Sequence, residues 1–434
     1  MKKNKPVFLL FFLFLLLLLP CSCESVLPNP AETRIDAPPL HEPSQTDSPI
    51  ETQKPPETTD TPASKEKRIS FLAAGDNIIH EDVMKDAKNR AGDGEGYAFL
   101  PMYEGVASLI KEADIAFVNQ EGPVGSTTYP YAGYPNFNAP PQAGDALVSL
   151  GFDIVNIANN HMLDCHEKGL LESIAYWETK DVLLLGAYKN AADYEDIRVY
   201  DYEGLKIAFL SYTYDTNGMT LNAGSQHIIP LISDSDIIRQ TARAKEIADL
   251  LFVSIHWGND YSETSWPYGR FDFNPTAEQQ RLAQLLSDCG TDVIIGTHPH
   301  VVQRMEWMNG KSGNQTLCIY SLGNMISTMH ANFNMVGGFL TFDIVVPEEG
   351  KPYIDSPLFI PTVTHYQTQP ATGTRFGLQV YLLEDYSEEL VRIHGSQLRP
   401  GGAFTYDTLL RCVSTNLRAA FLPAFYQATP VSAD

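Results

Sequence analysis

The stretch Val293-Ile294-Ile295-Gly296-Thr297-His298-Pro299-His300 sets the pattern for the whole chain. A short β-branched run stops at a glycine, and residues able to hold a divalent metal follow at once. Four other apolar runs end in the same way. Residues 69–74 lead to Gly75-Asp76, 115–118 to Asn119-Gln120-Glu121, 154–158 to Asn159-Asn160-His161, and 251–255 to His256-Trp257-Gly258. In open α/β sheets, ligands gather just beyond the carboxyl ends of the strands. If these runs are neighbouring strands, Asp76, Glu121, Asn160, His256, His298 and His300 converge on one point.

What precedes three of the runs supports that reading. Tyr103, Val106, Ala107 and Ile110 recur at helical spacing ahead of Asp114. Ala143, Ala146, Leu147 and Leu150 do so ahead of Gly151 and Asp153, and Leu282, Leu285, Leu286 and Cys289 ahead of Gly290 and Asp292. Such spacing buries one helix face, and a glycine just past the end suits a left-handed cap. Asn274-Pro275 is expected to open the third helix. Helices alternating with unbroken β-branched strands predict a sheet covered by helices. Residues 197–202 and 205–212, joined at Glu203-Gly204, predict an antiparallel hairpin, so the sheets should be mixed. Further strands are expected at 316–320, 338–346 and 377–383, and a helix at 405–417.

The chain has 434 residues, 44% apolar and 19% charged, enough for a substantial core. A net charge of −23 argues against nucleic acid as a partner. Lys2, Lys3 and Lys5 precede an apolar stretch at 7–19, too short to span a bilayer but right for an export signal. Ser22-Cys23 then suggests a lipoprotein-type cleavage box, with Cys23 lipid-bearing; simple secretion and an uncleaved anchor are the alternatives. Residues 24–67 are rich in Pro, Thr, Ser and Glu, a composition that cannot bury enough apolar surface to order itself. The expected organisation is an export segment (1–23), a tether (24–67), a main domain (68–350) and a C-terminal extension packed on it (351–434). The protein would then sit on the outer face of the cytoplasmic membrane. Cys165, Cys289, Cys318 and Cys412 remain in the body, and free buried thiols are expected for them.

Zinc, iron and manganese accept imidazole and carboxylate ligands together, so this mixed set suits one or two such ions. In an extended chain alternate residues point opposite ways. The imidazoles of His298 and His300 would then serve two metals, or one metal and a substrate. Taken singly the pieces are weak: an aspartate after glycine is usually a turn or cap residue, and Asn159-Asn160 alone reads as a turn. The other histidines lack the strand-end setting, although His80 and His166 lie close to ligand loops.

Several segments together resemble one family. They are Gly75-Asp76, Asn119-Gln-Glu121-Gly-Pro-Val124, Gly151-Phe-Asp-Ile-Val-Asn-Ile-Ala-Asn-Asn-His161, His256-Trp-Gly258, Gly296-Thr-His-Pro-His-Val-Val-Gln303 and Tyr320-Ser-Leu-Gly-Asn324. Over residues 69–327 they resemble the bacterial CapA family, the poly-γ-glutamate capsule synthesis proteins also called PgsA. That family is similar in fold to the calcineurin-like metallophosphoesterases. The resemblance implies an α/β fold: a metallophosphoesterase-like sandwich of two mixed β-sheets flanked by α-helices. It also implies Asp76, Asn160, His256, His298 and His300 as metal ligands, Glu121 as a bridging ligand, and His161 as the general acid, with Asp76 counted in the catalytic centre. The cofactor would be one or two divalent ions of Mn, Zn or Fe. Three departures stand out: Ile78 where the superfamily has histidine, Glu121 where it has aspartate, and Leu163-Asp-Cys-His166 in place of an aromatic-glycine. The implied function is a metal-dependent hydrolase of phosphoesterase type acting on an anionic polymer, polyglutamate, or on a phosphoester. The alternative is a non-catalytic envelope factor that tethers such a polymer and its membrane synthase; the missing histidine favours it slightly.

Overall fold

The computed structural model describes residues 66–92, 94, 96–260, 273–329, 331–398 and 403–427. The expected export segment, Cys23 and the tether up to residue 65 lie outside the described residues, as does His330. No helix among the described residues is long and apolar enough to cross a membrane.

The chain lays down half of one sheet, builds a second, and returns. It begins with β1 (Lys67–Ile78), β2 (Ile115–Glu121), β3 (Ile154–Asn156) and β4 (Leu183–Leu185). The second sheet takes β5 (Arg198–Tyr202), β6 (Leu205–Thr213), β7 (Leu250–His256), β8 (Val293–Thr297), β9 (Met305–Asn309) and β10 (Gln315–Ile319). The first is then completed by β11 (Asn324–Ile326), β12 (Val336–Val346), β13 (Tyr353–Thr368) and β14 (Arg375–Leu382). The eight-stranded sheet runs β14-β13-β12-β1-β2-β3-β4 with β11 beside β1, and the six-stranded sheet runs β5-β6-β7-β8-β10-β9. β1 to β4 are parallel, as are β6, β7, β8 and β10, while β12 to β14, β5 and β9 pair antiparallel. Both sheets are mixed, as expected.

The period of two explains the layering. In the second sheet Ile207, Phe209, Phe252, Ile295 and Leu317 face the first sheet, while Ala208, Leu210, Leu251, Val253 and Ile294 face outward. Phe71 of β1 meets Phe252 of β7 edge-on at 5.1 Å and stacks on Phe342 of β12 at 4.8 Å, joining the sheets. The outward side chains are covered by helices Asp234–Ile247 and Ala277–Asp288 through Ile237, Ala244, Leu282 and Leu286. Each buried Ile or Leu among them stabilises the fold by about 1.5–3 kcal/mol, and Ala244 by less.

Local differences from expectation have local causes. The third helix starts at Ala277, not at Pro275, because Thr276 accepts from Gln279 N and the Gln279 side chain reaches back to the cap. The segment around Tyr103 is a 3₁₀ turn (Leu100–Tyr103) followed by a short helix (Ala107–Glu112) rather than one helix. Gly105 breaks it, packed so closely on β14 that a Cβ would fall 2.5 Å from Val380 O. The hairpin turn has Glu203 at φ 49° and Gly204 at φ 92°, the primed geometry that matches strand twist. All four body cysteines are free.

Candidate functional site

The parallel strands of both sheets deliver their carboxyl ends to the same rim. Asp76 comes from β1, Glu121 from the end of β2, and Asn160 and His161 from the loop after β3. His256 ends β7, and His298 and His300 follow β8. A register shift in β1 between Ala74 and Asp76 re-aims the aspartate. Gly75 permits it: a Cβ there would lie 2.0 Å from Gly323 O, where β11 approaches.

The six expected ligands are buried and linked one to the next by a chain of contacts. His300 Nδ1 lies 3.1 Å from Asp76 Oδ2, and its Nε2 lies 3.7 Å from Glu121 Oε1. Asp76, Glu121 and His300 each offer a ligand atom within 4.8 Å of the others. Beside them, His256 Nε2 lies 2.9 Å from Asn160 Oδ1, and the rings of His256 and His298 are 4.7 Å apart. His298 N donates to Asp76 Oδ2 at 3.2 Å, tying the two groups together. The loop between the histidines is not extended: His298 has φ 97° and His300 φ 55°. The two rings therefore do not point opposite ways but stand 5.7 Å apart on one side. Left-handed backbone at a non-glycine residue costs about 1–3 kcal/mol, and such positions are enriched at functional sites as well as in turns.

Electrostatics split the cluster in two. Burial pushes the Glu121 carboxyl up to about 7, with His300 pulling against it and Asp76 adding to it. Burial opposes charge on His300, but Glu121 and Asp76 outweigh it and raise the imidazole to about 10. Burial, then neighbouring imidazoles, hold His256 and His298 well below the ordinary histidine range, in the neutral form that metals bind. Among the cluster's own atoms, Glu121 Oε2 and His298 Nδ1 are buried with no hydrogen-bond partner. Each costs about 1–3 kcal/mol when left so.

His161 is held separately. Its Nδ1 sits 2.7 Å from Asp164 Oδ2, and its Nε2 lies 3.9 Å from Glu121 Oε1. Burial lowers its pKa, but the Asp164 bond and the Glu121 charge override this and raise it.

Other residues of the site escaped the sequence reading. A chain of amides crosses the rim: Asn119 Nδ2 donates to Asp76 Oδ1 at 2.7 Å, Asn156 Nδ2 donates to Asn119 Oδ1 at 2.8 Å, and Ser211 Oγ on β6 donates to Asn156 Oδ1. Asn324 Oδ1 lies 3.0 Å from His300 Nδ1, and Thr297 Oγ1 lies 2.9 Å from His256 Nδ1. The available signal was an asparagine inside an otherwise apolar strand, at Asn119 and Asn156. His80 accepts from Thr328 N and meets Phe137 edge-on, so it supports the rim without entering the cluster.

The family model described as bacterial capsule synthesis protein PGA_cap matches residues 70–329. The chain belongs to that bacterial capsule synthesis family. It is 28% identical over 268 residues to the capsule biosynthesis protein CapA of Bacillus anthracis, covering 60% of each chain. It is also 28% identical over 274 residues to the PGA biosynthesis protein CapA of Bacillus subtilis (strain 168), covering 62% of this chain and 66% of that one. It thus spans less than two thirds of either relative's length. Among solved structures, the calcineurin-like phosphoesterase YfkN of Bacillus subtilis aligns with a TM-score of 0.33 at 12% identity, over 67% of this chain and 91% of that one. The cluster residues all lie within the matched family segment.

Proposed function

We propose that this protein is a metal-dependent hydrolase of the cell envelope, acting on an anionic capsule polymer or on a phosphoester in its assembly. The observation that carries the reading is the buried cluster of Asp76, Glu121 and His300, whose ligand atoms lie within 4.8 Å of one another. The partnerless Glu121 Oε2 and His298 Nδ1 fit a cation as the absent partner. Asp76, Glu121, Asn160, His256, His298 and His300 would hold one or two divalent ions. Bound there, such an ion supplies a Lewis acid and a water ionised near neutral pH.

The remaining chemistry belongs to the chain. Asp164 accepts the Nδ1 proton of His161, which fixes the ring and leaves Nε2 toward the cluster. From that position the imidazolium donates its Nε2 proton to a leaving oxygen. Asn119 and the His298 amide hold the Asp76 carboxylate in one orientation.

The rest of the reading extends the sequence and the relatives' names. Export, a lipid anchor at Cys23 and a tether at 24–67 would place the site outside the cytoplasmic membrane, near a polymer synthase. Polyglutamate is the polymer suggested by the name of the Bacillus subtilis relative. Elemental analysis of purified protein tests the core claim: one or two Mn, Zn or Fe per chain are expected, and His298→Ala should lose most of it. Substoichiometric metal that His298→Ala leaves unchanged sinks the site. Hydrolysis of a phosphodiester panel with Mn or Zn, abolished in His161→Ala, supports an enzyme; tight polymer binding without turnover makes the protein a binding factor instead.

A further inference from the structure

Polar side chains stand level across three parallel strands of the first sheet. The register sets Asp76 of β1 opposite Asn119 of β2, and Asn119 opposite Asn156 of β3. Each is fully buried. Ser211 lies on β6 of the second sheet, in step with Ile207 and Phe209 on the face turned to the first sheet, and is buried as well. Its hydroxyl meets Asn156 across the gap between the sheets.

An isolated side-chain amide turns over easily, but these two are fixed by what lies at each end. The Asp76 carboxylate only accepts, so Asn119 must offer it Nδ2 and turn its own oxygen toward Asn156. Asn156 is set from the backbone too: Ala158 N donates to its Oδ1 at 3.3 Å, and its Nδ2 reaches Ala158 O at 3.3 Å. Ser211 Oγ donates into the same Oδ1. Every bond therefore runs one way, from Ser211 to Asp76. That chain occupies Asp76 Oδ1, while Oδ2 faces the cluster, 3.2 Å from His298 N and 3.1 Å from His300 Nδ1.

Buried hydrogen bonds in series support one another, and partners behind a ligand set its orientation and hence its affinity. We infer that Ser211 and Asn156 are positioning residues for Asp76: acting through Asn119, they hold its Oδ1 back and keep Oδ2 aimed at the cluster. One end of the relay is on the second sheet, so the placement of a first-sheet ligand depends on the spacing between the sheets at the rim. Asn156 also grips Ala158, at the start of the loop that carries Asn160 and His161, so the same side chain steadies two parts of the site. The inference rests on the proposal that the cluster holds a divalent cation.

Calorimetric titration of Mn(II) into the chelator-treated full chain tests it. Ser211→Ala should weaken binding about two- to tenfold, the worth of one hydrogen bond passed along the relay. Thr316→Val cuts buried hydroxyl bonds to Ser287 and Thr291 at the end of β10 away from the rim, and should leave affinity unchanged. Asn119→Leu breaks the relay beside Asp76, so in that background Ser211→Ala should weaken binding no further. Hydrogen exchange of the Asn119 side-chain amide, followed by NMR in metal-free protein, gives a second readout: faster in Ser211→Ala, unchanged in Thr316→Val. If the parent binds no Mn(II) but the amide responds, the proposed function falls and the relay stands. A parent that binds Mn(II) no better than Ser211→Ala does, equal weakening in Thr316→Val, or an Asn119 amide indifferent to Ser211→Ala would each overturn the inference.

Discussion

His161 can act as a donor only if its ring is held in one tautomer and one orientation, and Asp164 is the residue placed to do that. The carboxylate lies three positions later in the same loop, yet it also accepts from Phe137 N in the adjoining loop, so one side chain sets both. Asparagine at 164 can still accept one of these bonds, but it cannot stabilise an imidazolium. Asp164→Asn is therefore expected to lower phosphodiester turnover about 10–100-fold while leaving bound metal unchanged. Steady-state kinetics beside elemental analysis decide it; unchanged turnover would remove Asp164 from the mechanism. The gathering of the six strand-end residues at one rim was legible because carboxylates and imidazoles at strand ends are unusual. Asn119, Asn156 and Asn324 were not: an asparagine near a strand end usually marks a turn, and although the apolar strands around Asn119 and Asn156 hint at burial, nothing local names the partner each one bonds. The backbone at His298 and His300 was misjudged for a related reason: its left-handed conformation is imposed by contacts such as Asp76 to His298 N, from 222 residues away.

At the scale of elements, the repeated aspartates before strands turn out to be joints. Asp114 accepts from Ser70 N at 2.8 Å, Asp153 from Ala116 N at 2.8 Å, Asp249 from Lys206 N at 2.9 Å and Asp292 from Leu251 N at 2.7 Å. Each carboxylate, at the start of one parallel strand, holds an early amide of its neighbour, and so helps set the register that brings the ligand ends level. The sequence reading noticed the aspartates at 114, 153 and 292 but not the bond they make, because strand neighbours cannot be read from one chain. β4, β9, β11 and β13 were missed altogether: three are short or half-exposed, and β13 is interrupted by Asp355-Ser356 and carries two prolines, Pro357 and Pro361. Burial pushes the Asp292 carboxyl up to about 6, with the Leu251 amide pulling against it. The folded chain thus keeps a proton that the unfolded chain has already lost above about pH 4. Stability from this residue is greatest below that pH and falls as pH rises through 6, by roughly 2–3 kcal/mol. Asp292→Asn removes the fall. In urea unfolding the variant should gain on the parent between pH 4 and pH 7, and a constant difference would contradict the assignment.

Over the whole molecule, the cluster is drawn from both sheets. Asp76, Glu121 and Asn160 come from the first; His256, His298 and His300 come from the second. Within the protein they are tied by few direct bonds, chiefly Asn160 to His256, His298 N to Asp76 and His300 to Asp76. The first sheet also depends on strands beyond the matched family segment, since β12 pairs with β1 from Lys67↔Val346 to Ala74↔Phe339. A cation shared by these ligands would clamp the sheets at the rim, where their own contacts are polar, while Phe71, Phe252 and Phe342 hold them deeper in. A ligand that binds only the folded state stabilises it by mass action, about 2.7 kcal/mol at a hundredfold excess over Kd. Adding Mn or Zn to chelator-treated protein should therefore raise Tm in one cooperative transition, and the gain should vanish in His298→Ala and in Asp76→Asn alike. The two substitutions sit on different sheets, so equal loss from both is what a shared site requires. If calorimetry shows the gain surviving either one, the metal is held by a single sheet and the clamp is wrong.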